Sequence, residues 1–218
     1  MSNIISTILN ANNDFSQDYI EIIDRAFTKA TRTTRELLQE LPNIDILFYS
    51  NSSQVIEKTG IGGNTENANT IIIPLDPEFA ISEEELFLTI CHEIHHAKRI
   101  AALGDTNSLL KKVISEGLAD QFQVQINPTT RPVTYRDDIS RLELEKALKE
   151  LKEIASSNGE YDYYEWFYGY GKYSNWIGYT LGNMIIESFI NERKQSASEL
   201  IVQPVDYFSA FVNEFQLK

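Results

Sequence analysis

Cysteine is almost missing from this chain. Cys91 is the single one in 218 residues, so no intrachain disulfide can form. That scarcity suits a reducing compartment. Positive charge is also short: 19 Lys and Arg stand against 32 Asp and Glu, for a formal net charge of −13. A surface of that sign repels phosphate backbones and anionic lipid, which argues against nucleic acid and against a membrane as partners. No stretch approaches the roughly 18 consecutive apolar residues of a membrane span. Residues 1–13 lack the basic-then-apolar order of a secretory signal, so a cytoplasmic protein is expected. Histidine is the third scarcity, with His92, His95 and His96 as the full set. What remains is ordinary globular composition, 42% hydrophobic and 23% charged, which excludes disorder. The length suits one domain over residues 1–218.

Helical periodicity covers residues 15–41, with Asp14 and Gln17 as a capping box and Pro42 as the stop. Residues 44–49 read as a strand, and 51–69 as a long polar loop holding Gly60, Gly62 and Gly63. Thr70–Leu75 reads as a second strand. Proline cannot donate to a ladder, so Pro74 predicts an edge position for it. Ser82 with Glu85 at one end and Gly104 at the other bracket a strong helix. Further helices are predicted over 108–126, 138–157 (closed by Asn158-Gly159), 176–192 and 205–215. Residues 161–176 are aromatic-rich and punctuated by glycine. The fold class is therefore α+β, predominantly helical, with a small sheet beside the helix of residues 82–103.

His92 and His96 lie four apart on that helix and so share one face. Two imidazoles at that spacing suit one zinc ion at about 2.0–2.1 Å. Glu93 is about 100° round the helix and can act on a water rather than on the metal. By average composition this pattern arises by chance in roughly one chain in a hundred of this length, so further ligands matter. A catalytic zinc takes three protein ligands, and the histidines are used up. A third histidine in the metzincin manner needs Gly at 99 and His at 102, where Arg99 and Ala102 stand. Glu116, 116 − 96 = 20 residues past His96, is the candidate, if a turn at 104–107 folds the next helix back antiparallel. Asp120, one turn later, is placed to orient His92 by accepting its second N–H. Gly117 would let the two helices approach closely.

The plainer readings stand beside these. His92 and His96 can be half-buried helix residues, Glu116 a solvated glutamate and Asp120 a surface charge. His95, on the far side of the helix, is expected to pack rather than ligate, and Cys91 to pack as a small apolar residue. A di-iron bundle needs a second Glu-x-x-His from another helix, and no histidine remains for it. A structural zinc closes all four positions, which would require Asp105 or His95.

The spacing is similar to that of thermolysin-type gluzincins. More closely, the chain resembles a bacterial family of predicted zinc-dependent proteases. The matching stretches are Thr89-Ile90-Cys91-His92-Glu93-Ile94-His95-His96-Ala97, Ile114-Ser115-Glu116-Gly117-Leu118-Ala119-Asp120 and Trp176-Ile177-Gly178-Tyr179-Thr180-Leu181-Gly182. The resemblance implies a zincin-like domain that binds Zn2+ and hydrolyses a peptide or protein substrate, with Glu93 as general base. In thermolysin-like enzymes a later histidine or tyrosine helps hold the oxyanion. No histidine remains, so Tyr179 is the first choice, with Tyr170, Tyr173 and Arg136 behind it. A peptide would add to the edge strand at Ile71 and Ile72. The alternative is a metal-binding or scaffold protein of the same fold without proteolytic activity.

Overall fold

Alternating β-branched residues build the first part of the molecule. The computed structural model describes residues 2–104, 108–157 and 159–217. The chain falls into two compact units, residues 1–104 and 105–218. Among the described residues there are four strands and eight helices, which makes the protein α+β and mainly helical. No described helix is long and apolar enough to cross a membrane.

The first unit runs β1 (Ile4–Leu9), α1 (Gln17–Leu37), β2 (Ile44–Ser50), a 3₁₀ turn (Ser52–Gln54), β3 (Asn64–Asn67), β4 (Thr70–Leu75) and α2 (Glu83–Leu103). The strand order is β1-β2-β4-β3; β1, β2 and β4 are parallel, and β3 is antiparallel to β4. In β2 the period-2 pattern is clean, with Ile44, Ile46 and Phe48 buried and Asp45 exposed. The register sets Ile46 opposite Ile71 and Phe48 opposite Ile73, which forms a continuous apolar face. Ile23, Ala26 and Ala30 of α1 and Leu86, Ile90 and Ile94 of α2 are likewise fully buried in this unit. Burying each Leu, Ile or Phe side chain there stabilises the unit by roughly 1.5–3 kcal/mol.

Three expectations are corrected here. β4 is an interior strand, paired with β2 on one side and β3 on the other. Pro74 is tolerated because its backbone faces the β3 side, where Gly62 N–H donates to its carbonyl at 2.9 Å. β3 pairs with Thr70, Ile71 and Ile72, and Pro74 faces the segment before β3 through the Ile61–Leu75 bridge, so the one bond proline cannot donate falls outside the β3–β4 pairing. Ile71 is fully buried, and neither it nor Ile72 offers a free strand edge to a peptide. Second, α1 is capped by Ser16, whose Oγ accepts from Tyr19 N–H at 3.3 Å, and not by Asp14. Third, α1 ends at Leu37, five residues before Pro42; the chain has left the helix by Glu40, whose φ is 53°.

The second unit is helical: α3 (Leu109–Ile126), α4 (Arg141–Ser157), α5 (Tyr163–Tyr168), α6 (Ile177–Arg193), α7 (Ala197–Leu200) and α8 (Asp206–Glu214). The turn expected at 104–107 falls largely on residues 105–107, and Asn158 was expected to close α4. Both lie outside the described residues. The core of this unit gathers Val113, Leu118, Leu151, Trp166, Leu181 and Phe208. Its tightest feature is the approach of α3 to α6. A Cβ at Gly117 would lie 2.2 Å from the Gly182 carbonyl oxygen, and one at Gly182 would lie 2.3 Å from that of Val113. Backbone meets backbone there, so no flexible side chain can yield. Gly117→Ala is expected to lower stability by about 3 kcal/mol, read as a drop in Tm. A variant that melts with the wild type contradicts this packing.

Candidate metal centre

The first half of the site is built on α2. Ser82 Oγ accepts from Glu85 N–H at 3.3 Å, and Glu83, Glu84 and Glu85 complement the positive end of the helix dipole. At the other end Gly104 caps with φ 78°, and its N–H donates to the Ile100 carbonyl. Leu86, Ile90, Cys91, Ile94 and Ala97 turn into the core and are fully buried. That fixes the helix rotation and leaves His92 and His96 half-buried.

Their Nε2 atoms lie 3.0 Å apart. The rings meet edge-on, with centroids 4.7 Å apart. Two zinc–nitrogen bonds of 2.0–2.1 Å at a tetrahedral angle set the nitrogens about 3.3 Å apart. The pair therefore fits zinc with an adjustment of a few tenths of an ångström.

Glu93 is buried, 6% exposed. Its carboxylate is met by β3. Thr65 Oγ1 lies 2.7 Å from Glu93 Oε2 and 3.0 Å from the Glu93 carbonyl. A Cβ built on Gly63 would fall 2.5 Å from Glu93 Oε1. Sequence reasoning missed Thr65, because it sits in a stretch without hydrophobic alternation. The available signal was the Gly62-Gly63 pair two residues before it.

Three neighbours on α2 are settled by burial. His95 is fully buried, with its ring 6.4 Å from that of His96. Burial pushes the Cys91 thiol far up, so it stays neutral and inert. Arg99 is buried three residues past His96, and the loss of solvation draws its guanidinium down to about 10.

The second unit carries the other candidates. Glu116 is half-buried on α3, and Asp120, 1% exposed, follows one turn later on the same face. Tyr179 is half-buried in the first turn of α6, its ring edge-on to Phe167 at 5.3 Å. The reserve oxyanion donors are engaged or remote from any enclosed position. Tyr173 donates its hydroxyl to Glu150 at 2.8 Å, Arg136 forks onto Asp138, and Tyr170 is 75% exposed.

No curated protein and no solved structure matches this chain. A family model does, over residues 22–209, a span that takes in α2, α3 and most of the rest of the chain. The chain therefore belongs to the family described as Predicted Zn-dependent protease (DUF2268).

Proposed function

We propose that the protein is a zinc-dependent peptidase, one zincin-like catalytic domain over residues 1–218, of gluzincin type. His92 and His96 serve as ligands and Glu116 as the third. The observation that carries the reading is the His92–His96 pair, two facing Nε2 atoms at 3.0 Å on a helix that also presents Glu93. His92 and His96 on α2 and Glu116 on α3 are each of a kind that offers one ligand atom to a metal ion. The membership of the chain in a family named for zinc-dependent proteolysis supports the same choice.

Zinc held there would polarise the scissile carbonyl and acidify a water molecule. Glu93 would serve as the general base that takes a proton from water and returns it to the leaving amine. Asp120 accepts the second N–H of a ligating histidine and fixes its tautomer. Tyr179, half-buried in the first turn of α6, would donate its hydroxyl to the oxyanion. Strand addition moves from Ile71 and Ile72 to β3, the outer strand next to β4, which carries exposed Asn64, Glu66 and Asn67.

The test is a peptide-library digest with purified protein, using Glu93→Ala as the blank. Cleavage by the wild type alone supports the peptidase. Zinc binding without any cleavage favours a scaffold of the same fold.

A further inference from the structure

β3 is four residues long, and its outward residues are polar. Its inward business is with one side chain of α2. Thr65 pairs with Ile71 across the ladder, and its hydroxyl reaches both ends of Glu93. A threonine hydroxyl has one proton, and a carboxylate is a stronger acceptor than an amide carbonyl. The shorter contact, 2.7 Å against 3.0 Å, is the one to the carboxylate.

A glutamate side chain loses considerable rotamer freedom when it is fixed. The bond from Thr65 offsets that cost and selects one orientation. Gly63 completes the arrangement from the other side, because any Cβ there would occupy the place of Oε1, at 2.5 Å. Gly63, having no side chain, keeps that oxygen clear of such a clash.

We propose that Thr65 is a positioning residue for Glu93: it engages Oε2 and leaves Oε1, over the bare backbone of Gly63, as the oxygen that takes the proton. This rests on the peptidase reading above. The Thr65 hydroxyl is engaged with Glu93. Its effect reaches the reaction through the orientation of Glu93, so it belongs in kcat and not in substrate affinity.

The experiment compares wild type, Thr65→Val, Thr65→Ser and Glu93→Ala on one peptide taken from the library digest, with zinc content and Tm measured on each. Thr65→Val keeps the shape and removes the hydroxyl. It is expected to lower kcat about tenfold or more, with KM within about twofold and zinc content unchanged. Thr65→Ser restores the hydroxyl and is expected within about threefold of wild type. In metal-free protein the Tm cost of Thr65→Val is expected to shrink in the Glu93→Ala background, because the bonded partner is gone. Should Thr65→Val fail to fold, Thr65→Ala is read in its place.

A Thr65→Val protein with wild-type kcat overturns the inference while leaving the peptidase intact. So does a variant that loses zinc and activity together, since that marks a merely structural role. A wild type no more active than Glu93→Ala overturns the peptidase reading, and this inference with it.

Discussion

Glu93→Ala is expected to leave the protein folded and able to bind zinc, and to lower kcat by about 10²–10⁴-fold. That is the range a positioned general base contributes. The retention of zinc follows from geometry. Glu93 is next to His92 in sequence, about 100° round the helix, and its carboxylate is turned to Thr65. The retention of the fold follows from what the substitution leaves behind. The Thr65 hydroxyl keeps the Glu93 backbone carbonyl as an acceptor at 3.0 Å, so no buried donor is orphaned. Zinc analysis, Tm and kcat on a single peptide check all three parts. A residual kcat within tenfold of wild type contradicts the general-base role. Loss of zinc contradicts the separation of base from ligand.

His92→Ala and His96→Ala are expected to act in the opposite way, each weakening zinc binding by more than about 100-fold. Loss of a partner that merely orients a ligand costs 10–100-fold, and loss of a ligand exceeds that. Competition with a chelator of known affinity measures it. Stability gives a second readout. Zinc held by the folded chain would stabilise it, so wild type is expected to gain Tm with added zinc and these variants are not. After chelation the gap closes, because His92 and His96 are half-buried and carry little of the core. A variant that still gains Tm at the same zinc concentration contradicts the assignment of that histidine.

The parts of the molecule legible in the sequence are those with local causes. α2 is one: Ser82, the apolar period and Gly104 agree, and the bounds observed are those expected. α3 is another, with Ser108 at its start and Asn127 at its end. The cap of α1 was less legible, because Asp14 and Ser16 are both capping residues two positions apart. The bond from Tyr19 N–H decides between them.

What escaped the sequence depends on partners far along the chain. β1 alternates only faintly, and β3, Asn-Thr-Glu-Asn, has no hydrophobic residue; it is a strand because β4 pairs with it. Without β3, the rule that proline marks an edge placed β4 wrongly. Gly117 was expected to serve the approach of α3 to α2; the close approach observed at it is to Gly182 of α6, 65 residues away (182 − 117). Thr65 escaped for the same reason, since its meaning lies in Glu93, 28 residues on.

The central claim is that one zinc is held by two histidines of α2 and a glutamate of α3. Zinc content per chain, measured on wild type and Glu116→Ala after dialysis against the same low zinc concentration, tests it most directly. The account predicts about one zinc per wild-type chain and almost none in the variant. Full retention of zinc by Glu116→Ala, with wild type loaded alongside, would contradict it.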